Sequence, residues 1–409
     1  MIRCRSCSGR LASVLELGTL FLSDFRSDDS KPPAFPLDLV RCASCELVQL
    51  SETVPRELLY HDRYGYRSGV SDSVRADLAS IVARVLPHAQ GGRWLDIACN
   101  DGTLLSYVPG MFQRFGIDPV AKFTEQAARY GQISCGYWPE VVAPGDFDVI
   151  TSISVFYDVE DLAGFVEATA ASLARRGVWA IQQNYLVDML DQEALDNICH
   201  EHITYFALTS LEHLLHKHGL EVFAAWESTV NGGCFGVLVG HIGQHGVEVS
   251  VGRMRERERR IRRDVVYRRF ARNALRRADA LGGFIRGLAD AGKEVYLYGA
   301  STRSQTLWQV AGLNQNLTPA AVERNADKVW KVISSLGVPI ISESEAREFP
   351  PAYMLVGPWY FRSEFVARER AYLEGGGRFI FPLPELEVVS DRDLLSDVRQ
   401  AEQPVSASV

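Results

Sequence analysis

Two Cys-x-x-Cys pairs open the chain, Cys4-Arg-Ser-Cys7 and Cys42-Ala-Ser-Cys45, with 34 residues between them. Two residues between paired thiols let both sulfurs face one ion, and four thiolates complete a closed tetrahedral zinc site that leaves no position for a substrate. A zinc held in this way is structural and contributes folding free energy to a segment too small to fold alone. Reduced free thiols or a redox pair are the other readings of the same residues. Cys99, Cys135, Cys199 and Cys234 have no such spacing and are expected to be small buried apolar side chains.

Further along, Arg93-Trp-Leu-Asp96-Ile-Ala98-Cys-Asn100-Asp101-Gly102 reads as a strand that ends in an acidic, small-residue turn opening a helix. A doubly wound sheet places ligands at such turns, beyond the carboxyl ends of its strands. The dinucleotide pattern G-x-G-x-x-G is absent, which disfavours a nicotinamide cofactor. Asp118 closes the next strand, where a carboxylate can accept hydrogen bonds from both hydroxyls of a ribose. The pair Asp96 and Asp118 therefore points to S-adenosylmethionine, the plain alternative being two strand-terminal residues that cap helices. The segment Cys199-His200-Glu201-His202-Ile-Thr-Tyr205-Phe206 gathers two imidazoles, a carboxylate and a phenol within a few residues. It is the best active-site candidate, against a His-x-His metal pair or a solvated polar loop.

These groups need a scaffold. A helix is expected over 72–86, then strands at 93–99, 115–118, 147–153 and 178–183, with helices near 121–130 and 161–175. Apolar strands alternating with helices imply a parallel sheet covered on both faces. Twelve arginines lie between Val251 and Arg277, leaving Val265, Val266, Phe270 and Leu275 for one face of a long helix. That helix is read as a surface link between domains in preference to an RNA-binding arm. Glu294-Val-Tyr-Leu-Tyr-Gly299-Ala-Ser301-Thr-Arg303 begins a second strand–turn–helix block ending near Phe379-Ile-Phe-Pro-Leu383, and the tail after 397 is expected to fray. The resulting division is a zinc-binding module over 1–70, a doubly wound domain carrying the cofactor turn over 71–248, and a linker helix with a C-terminal domain over 249–409.

The 409 residues, 47% hydrophobic and 23% charged, suit a globular protein of two or three domains. A net charge of −8 argues against nucleic acid as the main partner. No apolar run approaches a membrane span, and the start lacks the apolar core of a signal peptide. We expect a cytoplasmic protein with a small-molecule substrate, no membrane partner, and a monomer or small homo-oligomer.

The chain resembles the sugar C-methyltransferases that branch deoxysugars, from the first cysteine pair to about Val389. The resemblance rests on Cys4/Cys7/Cys42/Cys45, Ala98-Cys-Asn-Asp-Gly102, His200-Glu-His202 with Tyr205-Phe206, Asn231-Gly-Gly233, Tyr298-Gly-Ala-Ser-Thr-Arg303, Glu323-Arg-Asn325 and Phe379-Ile-Phe-Pro-Leu383. It implies an α/β protein with an N-terminal zinc-binding module, a central Rossmann-like class I methyltransferase domain using S-adenosylmethionine, and a C-terminal second Rossmann-like domain that helps hold a dTDP-linked 4-keto deoxysugar. C3 is the expected carbon, with C5 the other choice. In the family the base matches His202. Glu201 would orient the imidazole or the substrate, His200 belongs to the same cluster, and Tyr66 could donate to the developing oxyanion. Tyr64, expected one strand step away on the same face, lines the site with it, unless either tyrosine only packs. Some relatives carry tyrosine where this chain has Cys199, so a phenol is missing there. Cofactor contacts are assigned to Asp96, Ala98, Asn100, Asp101, Gly102 and Asp118. Substrate contacts fall to Tyr64, Tyr205, Asn231, Gly299, Ser301 and Arg303. For Asn231 an ordinary hairpin turn, and for Ser301 a helix cap, explains the residue as well.

Overall fold

The computed structural model describes residues 3–28, 30–61, 64, 66–141 and 145–393. The chain divides into two compact units, Met1–Leu22 with Ala34–Asp191 and Asn197–Ala271, and Ser23–Pro33 with Gln192–Asp196 and Arg272–Val409. The polar tail after 397 lies outside the described residues.

In the first unit, a seven-stranded sheet runs Leu220–Ser228, Cys234–His241, Leu173–Asn184, Phe147–Ile153, Gly92–Ile97, Phe112–Asp118, Gln132–Cys135. The last five are parallel, and the hairpin of the first two pairs antiparallel to Leu173–Asn184. Trp94, Leu95, Val149, Ile150, Val178 and Trp179 have no exposed surface. Such continuous apolar strands belong at the centre of a parallel sheet, where each large side chain contributes about 1.5–3 kcal/mol on burial. Strand order reverses between Gly92–Ile97 and Phe147–Ile153, which makes their carboxyl ends the ligand position of the sheet. Cys135 departs from expectation: it is exposed, because it ends the edge strand of this sheet.

The cysteine pairs sit on a four-stranded antiparallel sheet, Leu11–Phe21, Ala34–Cys42, Val48–Leu50 and Thr204–Tyr205. The last strand comes from within the methyltransferase domain of the sequence reading, so the metal module is woven into the first unit. The four sulfurs lie within 4.8 Å of one another, with Cys4 and Cys45 at 3.4 Å and Cys7 and Cys42 at 3.4 Å. Zinc–sulfur bonds of about 2.3 Å place tetrahedral sulfurs about 3.8 Å apart, so the quartet fits zinc. Gly9 closes the knuckle. A Cβ there would stand 2.9 Å from both Cys42 Sγ and Ser44 Oγ and 3.1 Å from Cys7 Sγ. Gly9→Ala should therefore weaken zinc about 10–100-fold, the range seen when groups supporting a metal's ligands are disturbed. Chelator competition measures it, and unchanged affinity would mean the knuckle yields.

The arginine-rich segment is broken where one helix was expected. Helices Val249–Glu258 and Asp264–Asp290 are separated by the 3-10 turn Arg259–Arg262 and an extended Arg263. Its charges bind the first unit's own carboxylates: Arg255 with Glu212 at 2.6 Å, Arg257 with Asp188 at 2.7 Å, and Arg260 with Asp191. Buried Glu258 accepts from the backbone of Leu208 and Thr209 at 2.6 and 2.9 Å and so caps helix Leu208–His216, whose preceding Ala207 has no side chain able to do so. These contacts give Arg255, Arg257, Glu258 and Arg260 a structural role.

The second unit has an eight-stranded sheet whose parallel core is Arg378–Phe381, Tyr353–Val356, Val295–Tyr298, Ala321–Glu323 and Val338–Ser342 in spatial order. Phe25–Arg26 joins its edge through Val332–Ile333. Among the described residues no helix is long and apolar enough to cross a membrane.

Candidate active site

A cleft of about 1050 Å³ opens at the switch point of the seven-stranded sheet. Its wall includes Ala98 and Asn100 from the turn after Gly92–Ile97, Asp118 from the end of Phe112–Asp118, Ser154, Val155 and Asp158 after Phe147–Ile153, and Gln182 from Leu173–Asn184. Asp77, Tyr60, Tyr64, Tyr66, Tyr137, Trp138 and Asn231 face the same space.

The turn is built by unusual backbone. Ala98 and Asn100 adopt φ of 58° and 48°, and Gly102 follows at 79°. A Cβ on Gly102 would lie 2.8 Å from the backbone of Ala127, so this glycine serves close packing and does not line the cleft. Asp96 is buried, accepting a 2.6 Å bond from Thr151 Oγ1, and desolvation pushes its carboxyl up to about 7. Asp118 accepts from Asn100 N and Val120 N at 2.9 Å each, and burial lifts it to about 6 against those two bonds. Asn100 and Asp101 turn instead towards the tyrosine segment. Asn100 Oδ1 accepts from Ser68 N at 3.0 Å and its amide donates to Tyr66 O at 3.3 Å. Asp101 accepts from Gly69 N at 3.1 Å and Arg67 Nε at 3.3 Å. These bonds fix the chain that presents Tyr66.

Tyr64 and Tyr66 do not share a strand, since both lie in irregular chain before the 3-10 turn Ser68–Val70. They nonetheless reach one cleft, and Lys122 Nζ holds the Tyr64 carbonyl at 2.9 Å. The three histidine-cluster groups separate. His202 Nδ1 lies 2.9 Å from the Asn197 carbonyl, which assigns the proton to that nitrogen and leaves Nε2 as an acceptor. Its ring meets Tyr157 edge-on with centroids 4.5 Å apart. His202 is not among the residues lining the cleft, and the ring it meets belongs to Tyr157, which precedes the lining residue Asp158. Glu201 is buried, and desolvation raises its carboxyl above the usual range. His200 leaves the site: its Nε2 lies 3.2 Å from the Phe35 carbonyl of the metal-bearing sheet, and burial lowers its basicity. Tyr205 is likewise buried in that sheet, opposite Val48.

Asn231 adopts φ of 54° in the turn between the hairpin strands and lines the cleft, so it is both hairpin turn and wall. Neighbouring Gly233 permits close approach to Asp188, 2.4 Å from a Cβ placed there. In the second unit, Gly299 has φ of 81° and a Cβ on it would stand 2.8 Å from Pro358. Ser301 Oγ accepts from Ser304 N at 3.4 Å, a capping contact. Arg303 pairs with Asp196 at 3.0 Å and stacks over Tyr360 at 4.8 Å.

The sequence reading passed over Tyr60, Asp77, Asp158 and Gln182. Asp158 had a usable signal, because it follows an apolar strand at the carboxyl end where a doubly wound sheet binds its ligand. Asp77 and Gln182 had none. They meet only in three dimensions, where Gln182 donates to Asp77 and accepts from Trp226 Nε1 at 3.2 Å.

Residues 4–60 match the model of a zinc binding domain, 71–225 that of a methyltransferase domain, and 229–384 that of a C-methyltransferase C-terminal domain. The C-methyltransferase NovU of Streptomyces niveus is 28% identical over 375 residues, spanning 88% of this chain and 89% of its own. Among solved structures, an S-adenosylmethionine-dependent methyltransferase from Clostridium acetobutylicum aligns with 42% of this chain and 94% of its own at 15% identity and a TM-score of 0.36. The N-methyltransferase NodS of Bradyrhizobium japonicum aligns with 41% and 95% at 13% identity and a TM-score of 0.34.

Proposed function

We propose, from the premise that the chain belongs to the S-adenosylmethionine-dependent C-methyltransferases and carries their three modules in order, that it methylates a ring carbon of a dTDP-linked 4-keto deoxysugar, at C3 in preference to C5. The cleft carries this reading: an acid-bearing turn for the cofactor and a tyrosine-rich wall for the substrate face one space. Bound S-adenosylmethionine supplies an electrophilic methyl group on a sulfonium. Asp118 fits its ribose, because a carboxylate accepts about four hydrogen bonds and Asn100 N and Val120 N occupy two. Ala98 and Asn100 complete that wall, while Asp96, Asp101 and Gly102 hold the turn in shape. His202 Nε2 removes the proton from the carbon that the neighbouring carbonyl acidifies. Tyr66 donates to the oxygen on which charge then develops, and Glu201 orients the imidazole or the sugar. In the second unit, Ser301 and Arg303 offer the hydroxyl and guanidinium that suit a diphosphate.

The test is incubation with methyl-labelled S-adenosylmethionine and the keto sugar in deuterium oxide. Label on carbon, with deuterium entering at C3 of sugar that has not been methylated, is the expected result. Label on oxygen or nitrogen would overturn the assignment.

Cofactor binding should also titrate. Only the ionised Asp118 accepts both ribose hydroxyls, and its carboxyl is lifted to about 6. Affinity should thus be full above that pH and fall about tenfold for each unit below it. Calorimetry across pH 5–8 checks this, and a flat profile would remove Asp118 from the ribose site.

A further inference from the structure

We propose that Asp158 and Tyr60 determine substrate specificity: they bind a hydrogen-bond donor on the sugar ring, a hydroxyl or an ammonium, and reject a ring that lacks it. The inference rests on the reading of the protein as a sugar methyltransferase. Both side chains line the cleft. Tyr60 Oη, Asp158 Oδ1 and the nearby Glu201 Oε2 are shielded from solvent and make no hydrogen bond. Tyr60 and Asp158 are close enough that each shifts the ionisation of the other.

Both residues are held in place by other groups. Asp158 ends the 3-10 turn Phe156–Asp158, tied by its own N–H to Val155 O at 2.9 Å. Thr204 Oγ1 grips the Tyr157 carbonyl at 3.1 Å, and the Tyr157 ring rests on His202. The position of Asp158 is thereby fixed relative to the base. Tyr60 packs on the buried cluster Leu22, Val54 and Leu59 and against the Tyr64 ring, centroids 5.3 Å apart. Rigid polar atoms without partners are costly, and a ligand that pairs them recovers that cost. An analogue lacking the group leaves them unpaired, the arrangement that gives enzymes their strongest discrimination. Burial and the charge of Glu201 raise the Asp158 carboxyl well above its usual range, which favours a proton on it until a cationic donor pairs with it.

The experiment uses the full-length, zinc-loaded enzyme and keto sugar nucleotides differing in one ring substituent: hydroxyl, amino or hydrogen. Wild type should favour a donor-bearing sugar over the deoxy analogue by about a hundredfold or more in kcat/KM. In Asp158→Ala the preference should shrink to within about threefold, mainly through KM, with cofactor affinity by calorimetry retained. Tyr60→Phe, which keeps the packing, should lose part of it. Asp158→Asn, which keeps a neutral acceptor, should restore preference for a hydroxyl but not for an ammonium, and so identifies which donor is read. An unchanged preference in Asp158→Ala, or a loss confined to cofactor binding, overturns the inference. If wild type methylates none of the three sugars, the functional reading itself fails and this inference falls with it.

Discussion

Replacing His202 with asparagine is expected to lower methyl transfer to carbon by about three orders of magnitude, within the range that a positioned general base supplies. The Asn197 carbonyl, 2.9 Å from Nδ1, sets the tautomer, and asparagine keeps a donor of similar reach while removing the Nε2 acceptor. Packing against Tyr157 is partly lost, but Asn184 and Asn197 remain bonded to each other at 2.8 Å, so the local fold should survive. Deuterium exchange at C3 in the absence of transfer must vanish with the activity, because both need the same proton removed. Transfer that persists in His202→Asn, with label on oxygen or nitrogen, would mean that the cleft performs heteroatom methylation, which needs less help from a base.

The parts of this picture that were legible in the sequence are those that local chemistry dictates. Four cysteines in two close pairs can do little but converge, and they lie within 4.8 Å of one another. The apolar strands of the central sheet announce burial on both faces, and 147–153 is a strand over the expected residues. What stayed hidden depends on long-range partners. Ser23–Pro33 leaves the metal-bearing stretch to pair in the second unit's sheet, and nothing in its residues advertises that edge. His200 and His202 look equivalent in a run of titratable groups, yet they differ in fate because their side chains meet different backbone carbonyls, Phe35 and Asn197. The arginine segment likewise finds its partners far away in sequence, at Glu212, Asp188 and Asp191.

Cys42→Ser should cost metal, stability and transfer together, because the strand that follows the base, Thr204–Tyr205, lies in the metal-bearing sheet. Cys42 has no exposed surface and stands 3.4 Å from Cys7 Sγ at the end of Ala34–Cys42. That strand pairs with Val48–Leu50, which pairs in turn with Thr204–Tyr205, two residues beyond His202. Leu50 N donates to Ile203 O at 2.8 Å and closes the connection. Structural zinc contributes about 10–16 kcal/mol of apparent binding free energy in small peptides, comparable with the whole stability of a domain. Losing one thiolate should therefore empty the site, unravel the four-stranded sheet and free the segment that carries His202. The expected result is a fall from one zinc per chain to near none by elemental analysis. The melting midpoint should drop by more than about 5 °C and transfer by more than about a hundredfold. Cofactor affinity is the discriminating measurement: Asp118 lies on the seven-stranded sheet, whose pairing does not pass through the metal module, so binding retained alongside lost transfer would locate the damage at the base. If metal content and melting are both unchanged in Cys42→Ser, the cysteines do not hold a structural ion, and His202 must owe its position to Asn197 and Tyr157 alone.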